Sequence, residues 1–335
     1  MKAIGFKTSH NIDDNESLME FEIQKPIARG FDIVVKVNAV SMNPVDTKVR
    51  ANIAKDTVLD EPKILGYDAT GIVEEIGDKV TKVKPGDRVF YAGDVTRNGS
   101  NSQFQEIDSR IVSLAPKTLN DVEASVLPLT SLTAWEALFD RMNIQKDEKK
   151  TILIIGGAGG VGSIATQILK AITNLTVITT ASRDETIQWS RQMGADYVVN
   201  HRNLISSVRK SGFDEVDYIF NVANTSIHWD SMVELIAPQG KICSIVDTTT
   251  PVDMNKLKPK SVTFIWEFMF TRSMFNTNDI EKQAEILNEI RVLVDEGKIK
   301  TTLTKTYEGF TVENIKEAHR LSESGKAIGK IAIQF

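Results

Sequence analysis

The sequence predicts an α/β chain of two domains, one strand-rich and the other a doubly wound parallel sheet flanked by helices. Two observations carry this. Up to about residue 120, short apolar strands are separated by Gly, Pro and Asn turns, the pattern of a barrel or sandwich. From Thr151 onward, apolar runs alternate with helical patterns, the mark of βαβ units. The length of 335 residues leaves room for about two hydrophobic cores.

In chain order, the expected strands of the first part are DIVVKVNAV (32–40), GIVEEIG (71–77) and GDRVF (86–90). A helical stretch over 120–142 follows, with Asp121 as its cap and Pro128 as a break, and the domain boundary falls near it. Then come the strand TILII, a helix from about Gly160, the strand LTVITTA, a helix from Asp184, and the strands DYVVN, VDYIFNVA and KICSIV. The aromatic run SVTFIWEFMF (261–270), an amphipathic helix over 278–296 and closing strands ending in GKIAIQF complete the chain. This last segment has no nucleotide fingerprint and is expected to return to the first domain. The expected division is therefore 1–125 and 266–335 for the first domain and 126–265 for the second.

Lys and Arg number 40 against 45 Asp and Glu, a net charge of −5, with the basic residues scattered, which argues against a nucleic-acid partner. The start MKAIGFKTSH lacks the apolar core and cleavage site of a signal peptide, and no run approaches about 18 apolar residues, so a cytoplasmic address without membrane association is expected. The single cysteine, Cys243, excludes an internal disulfide and a four-cysteine zinc lobe; its place in KICSIV reads as buried core.

The strongest motif is Gly157-Ala158-Gly159-Gly160-Val161-Gly162, a GxGxxG directly after the strand TILII and opening a helix. Glycines there permit a tight turn, close approach of the backbone to a pyrophosphate and close helix packing, while the helix N-terminus attracts phosphate charge. The motif in this context predicts a Rossmann-type dinucleotide site. An NAD site places a carboxylate at the end of the second strand, about 20 residues further on. Here Ala181, Ser182 and Arg183 stand there, a hydroxyl and a guanidinium suited to a 2′-phosphate, so NADPH is expected. The alternative is that Ser182 caps the following helix and Arg183 is a solvated charge.

The opening MKAIGF, the segments Ser41-Met42-Asn43-Pro44-Val45-Asp46 and Leu65-Gly66-Tyr67-Asp68-Ala69-Thr70-Gly71, the turn Lys84-Pro85-Gly86-Asp87-Arg88-Val89, the glycine loop and Met193-Gly194-Ala195-Asp196 together resemble the medium-chain dehydrogenase/reductase superfamily. Within it the chain resembles the quinone oxidoreductase-like branch, including proteins labelled zinc-type alcohol dehydrogenase-like, from its first residues to Gly329-Lys330. The resemblance implies a GroES-like β-barrel catalytic domain made from both chain ends, a Rossmann domain between, a cofactor in the cleft and a homodimer. In zinc members a Cys, a His and a Cys bind the metal; the matching positions here are Asn43, Tyr67 and a residue near Leu129, which are poor ligands, so no zinc is expected. Asp46 matches the residue that orients the zinc-binding His in zinc members and Asp68 the Glu beside that His; here they are expected to order Asn43 and Tyr67, or to pair with cations such as Arg50.

The resemblance also implies cofactor contacts from Thr130 and Thr133, near the nicotinamide and phosphate, and from His201 at the adenosine end; a solvated loop is the alternative for His201. Val222, Ala223, Ile245 and Val246 end strands at the edge where such sheets bind ligands, and Lys330 is counted with the cofactor residues. Trp266, Phe268 and Phe270 belong either to core or dimer packing or to a flat wall for a ring-shaped substrate.

Three functions compete: a zinc-independent NADPH reductase of quinones or α,β-unsaturated carbonyls, with Asn43 and Tyr67 as hydrogen-bond donors; a zinc-dependent alcohol dehydrogenase; and an NADPH-binding sensor or structural protein. The substituted ligand positions favour the first over the second.

Overall fold

Turn residues divide the first stretch into short strands, and the computed structural model, which describes residues 1–335, places them in two antiparallel sheets. In order these are β1 (Lys2–Phe6), β2 (Met19–Glu22), β3 (Asp32–Ser41), helix α1 (Pro44–Asn52), β4 (Lys63–Ile64), β5 (Ala69–Ile76), β6 (Arg88–Tyr91), β7 (Phe104–Asp108) and β8 (Ser113–Leu114). The pivot is β3: it pairs with β5 on one edge and with β7 and a C-terminal strand on the other. Ile33, Val34 and Val35 are all buried, so both faces of β3 are covered at this end, where a strand with one face to solvent would alternate.

Helix α2 (Asp121–Ser125) and α3 (Pro128–Trp135) follow, and α3 runs into one π-helical stretch over Glu136–Arg141. The break at Pro128 is present, with proline opening the second helix, where its missing N–H costs nothing. The cap differs from expectation. Asn120, one residue earlier, caps α2: its side chain accepts from Glu123 N at 2.9 Å, and Glu123 accepts from Asn120 N at 3.0 Å. Asp121 cannot serve because its carboxylate accepts from Arg88 and Asn38.

The alternating region builds β9 (Thr151–Ile155), α4 (Gly160–Ile172), β10 (Thr176–Thr180), α5 (Asp184–Gln192), β11 (Tyr197–Val199), α6 (Leu204–Lys210), β12 (Val216–Asn221), α7 (Thr225–Leu235), β13 (Ile236–Ser244) and β14 (Thr263–Trp266). They form a six-stranded sheet in the order β11-β10-β9-β12-β13-β14, with every pairing parallel. Leu153, Ile178, Ile219, Trp229, Leu235 and Ile242 lie in its core.

The chain closes with α8 (Thr271–Met274), α9 (Lys282–Asp295), β15 (Leu303–Glu308), α10 (Val312–Glu323) and β16 (Lys330–Gln334). The amphipathic helix starts four residues later than its periodicity suggests, because Asp279 is held in a turn by Thr277 and Arg272. Strand β16 pairs with β3, and Ile331 and Ile333 join the core of Val35, Val40 and Val73. The compact units are residues 1–129, 270–297 and 301–335 for the first, and 130–269 with 298–300 for the second. No helix is long and apolar enough to cross a membrane.

Candidate functional site

In the second unit the C-terminal ends of the parallel strands gather the residues expected at the nucleotide. The glycine loop follows β9, Ser182 and Arg183 follow β10, His201 follows β11, Val222 and Ala223 follow β12, and Ile245 and Val246 follow β13; Thr130 and Thr133 are buried on α3. Glycine is required at Gly162, where a Cβ would sit 2.3 Å from the carbonyl oxygen of Gly156. It is required again at Gly156, which has φ +100° and leaves a Cβ only 2.8 Å from Val222. Gly156, one residue before the predicted motif, was legible only as the doubled glycine after TILII. No side chain caps α4 at Gly159, so the first N–H groups of this 13-residue helix point outward with their partial positive charge. These residues fit a dinucleotide phosphate.

The residues after β10 differ from the capping alternative in one respect. It is Arg183, not Ser182, that occupies the cap of α5, where Thr186 accepts from its backbone N–H at 3.1 Å. The Arg183 guanidinium is partly exposed and lies 3.2 Å from Glu185. His201 is half-buried, its ring edge-to-face with His228 at 6.4 Å, and burial together with Arg202 lowers its pKa. Sequence reasoning passed over a buried polar knot beneath this edge, where the Asn221 amide donates to Thr225 and Ser244 at 2.9 Å each. Its signal was an Asn ending the apolar strand VDYIFN.

The first unit carries a second cluster. Asn43 caps α1, and Asp46 in the first turn accepts from the N–H of Asn43 and of Gly66, both at 2.9 Å. Asp68 is fully engaged: one oxygen accepts from Leu129 N at 2.7 Å, the other from the Asn43 amide at 2.8 Å and the Ser41 hydroxyl at 3.1 Å. The buried Lys330 ammonium lies 3.2 Å from Asp68 and donates to Asn43 Oδ1 at 2.6 Å and to Met42 O at 2.5 Å. Burial pushes the Asp46 pKa up to about 7 against the pull of the two N–H donors. Burial also raises the pKa of Asp68, opposed by Lys330, and lowers that of Lys330, opposed by Asp68.

The geometry bears on three expectations. Lys330, counted with the cofactor residues, sits instead among Asn43 and Asp68, with acceptors for all three of its protons. Arg50 does not pair with Asp46 or Asp68; its guanidinium reaches Glu323 and the carbonyl of His10. Asn43 is 1% exposed, and its amide donors are spent on Asp68 and on backbone oxygens, so it has no donor left for a substrate. The hydroxyl of Tyr67, by contrast, is buried without a hydrogen-bond partner, and its ring packs edge-to-face on Phe270 at 5.5 Å. Burial, then the charges of Asp46 and Asp94, raises its pKa, so the phenol keeps its proton. Phe270 is thereby a buried packing residue, whereas Trp266 and Phe268 are half-exposed, at 49% and 50%.

The chain matches two family profiles, an alcohol dehydrogenase GroES-like domain over residues 29–113 and a zinc-binding dehydrogenase over residues 193–333. It is 46% identical to a zinc-type alcohol dehydrogenase-like protein of Staphylococcus epidermidis over 340 residues, covering all of both chains. It is 26% identical to the 2-methylene-furan-3-one reductase of Solanum lycopersicum, covering 99% of this chain and 79% of that one. A crystal structure from Rhizobium etli, provisionally described as a zinc-dependent alcohol dehydrogenase, superposes with a TM-score of 0.95 at 46% identity, covering 100% of this chain and 98% of that one. Quinone oxidoreductases are among the solved structures sharing the fold.

A GroES-like part and a dinucleotide-binding sheet in one chain define an NAD(P)-dependent oxidoreductase. The chain belongs to the medium-chain dehydrogenase/reductase superfamily. The zinc that some of its members bind does not fit these residues. The donors on offer are an amide oxygen already bonded to an ammonium, a phenol and an aliphatic side chain, and no three His, Cys, Asp or Glu side chains gather anywhere as a metal site.

Proposed function

We propose that this protein is an NADPH-dependent, zinc-independent reductase of quinones or α,β-unsaturated carbonyls. The observation that carries the reading is the Tyr67 hydroxyl, buried and unpartnered, on a segment whose backbone is held by the mutually paired Asn43, Asp46, Asp68 and Lys330. A buried donor without a partner calls for an explanation, and a ligand oxygen is the one that suits a hydroxyl at a position matching a metal ligand of the zinc relatives. NADPH, held by the glycine loop, Ser182 and Arg183, supplies the hydride. The raised pKa of Tyr67 keeps it a neutral donor, able to hydrogen-bond a carbonyl oxygen and the enolate or hydroquinone anion that hydride addition leaves, while the proton that completes the product comes from solvent.

A conjugated acceptor suits such a site because its anion is spread over several atoms, so one hydrogen bond does what a metal must do for a simple aldehyde. The tomato relative is named for 2-methylene-furan-3-one, a ketone conjugated with its methylene group, which supports the same substrate class. Trp266 and Phe268 present half-exposed apolar surface on the second unit.

The test is NADPH oxidation across para-quinones, enones and saturated aldehydes. Fast turnover of the first two and slow turnover of the third is expected, with Tyr67→Phe lowering kcat by about 10²-fold or more, the usual worth of one hydrogen-bond donor to developing negative charge, and leaving NADPH affinity intact. Equal efficiency on saturated aldehydes, or a silent Tyr67→Phe, overturns the reading.

The reading includes a homodimer and a cytoplasmic address. Strand β14 is the outer strand of its sheet and ends at half-exposed Trp266, which supports pairing edge to edge with a second copy. Sedimentation of a monomer at micromolar concentration would remove the dimer from the reading, and fractionation of cells making the tagged chain checks the address.

A further inference from the structure

We propose that Lys330 is the positioning residue of this site: from the C-terminal strand β16, its buried ammonium sets the Asn43 amide and the Asp68 carboxylate, and through them holds Tyr67 in place. The inference rests on the reading of Tyr67 as the substrate's donor.

The geometry is a closed set of contacts. Lys330 donates to Asn43 Oδ1 at 2.6 Å and to Met42 O at 2.5 Å, and faces Asp68 Oδ2 at 3.2 Å. A cation at Oδ1 permits only one orientation of the Asn43 amide, the one in which Nδ2 points away from Lys330. In that orientation Nδ2 donates to Asp68 at 2.8 Å and to the carbonyl of Tyr67 at 3.3 Å.

Residues 66 to 68 are therefore gripped one after another. Gly66 N–H is held by Asp46, the Tyr67 carbonyl by Asn43, and the Asp68 side chain by Lys330, Ser41 and Leu129 N. The Tyr67 ring is thus held at its backbone and against Phe270, and the grips on its carbonyl and on Asp68 both run to one ammonium. Without Lys330, Asp68 is a buried carboxylate with no cation, and the Asn43 amide is free to turn over.

The test uses the full-length protein and three variants, Lys330→Met, Tyr67→Phe and Lys330→Met/Tyr67→Phe, with Lys330→Met/Asp68→Asn as the form that leaves no unpaired buried charge should Lys330→Met not fold. Kinetics are measured with a quinone, NADPH affinity by fluorescence titration, and the site by NMR of tyrosine labelled with ¹³C at Cζ, the Tyr67 line being the one lost in Tyr67→Phe. Expected are a kcat at least tenfold lower in the Lys330 variant that folds, an NADPH Kd within twofold of the parent, a double variant with Tyr67→Phe no slower than the slower single, and a displaced or broadened Tyr67 line. An NADPH Kd raised tenfold with kcat unchanged returns Lys330 to the cofactor and overturns the proposal. Multiplying effects in the double variant, or an unmoved Tyr67 line, overturn it as well. If the parent reduces no conjugated carbonyl, the function proposed above fails, and the NMR line still decides whether Lys330 positions Tyr67.

Discussion

His319→Leu should flatten the acid limb of the stability profile. His319 lies on α10 with no exposed surface, and neither ring nitrogen has a hydrogen-bond partner. Burial, and then the charge of Arg50, holds its pKa at about 3 against an ordinary 6.5. Between these values the unfolded chain binds a proton that the fold refuses. The contribution is complete above pH 6.5 and is lost as pH falls, at about 1.4 kcal/mol per pH unit, or roughly 2 kcal/mol by pH 5.

Asp46 works in the opposite sense. With its folded pKa raised to about 7 from 3.8, its contribution is complete below 3.8 and lost as pH rises toward 7, so the two groups offset one another over the same window. Only the difference between parent and variant isolates His319. Hydrogen exchange of the α10 amides in urea, at steps from pH 5 to 7.5, should show the parent losing stability toward acid more steeply than His319→Leu by about 1.4 kcal/mol per unit. Superimposable slopes, or a ring that titrates near 6.5 by NMR in the folded parent, would refute the reasoning.

Arg183→Glu should weaken NADPH by about 1.5 to 3 kcal/mol, the scale of a charge-assisted hydrogen bond, and change NADH little; an NADH Kd equal to or below that of NADPH in the parent would contradict the preference. Gly162→Ala, whose Cβ would stand 2.3 Å from Gly156 O, should abolish cofactor binding measured by fluorescence titration while the barrel unit's exchange protection is unchanged; retained binding would show that the loop yields. Elemental analysis of the purified protein should find no stoichiometric zinc, with activity unchanged by chelators, because the Asn43 oxygen is already bonded to a cation; one tightly held zinc per chain, lost together with activity, would be decisive against this.

The parts of this protein written in local pattern could be read without its structure. The run TILIIGGAGGVG carries strand, turn and helix start within twelve residues, each set by backbone requirements of its own, and so the dinucleotide-binding sheet was legible in the sequence. The strand-rich first part was legible from its turns, although the burial of Ile33, Val34 and Val35 in succession, on both faces of β3, is decided by what packs over the sheet. Hydrogen-bond partners were not legible. Asp121 and Asn120 are both acceptable caps in sequence, and the choice fell to Arg88, which claims Asp121 from 33 residues away. Asp68 and Arg50 were natural partners by charge, but the ammonium that reaches Asp68 comes from Lys330, 262 residues further along, because β16 pairs with β3 beside Asn43. Local pattern settles which residues can bend, bury or carry charge. Which buried groups neutralise one another is settled by the folding of distant strands together, since a charge taken out of water must find its partner in space, and the chain's order says nothing of that distance.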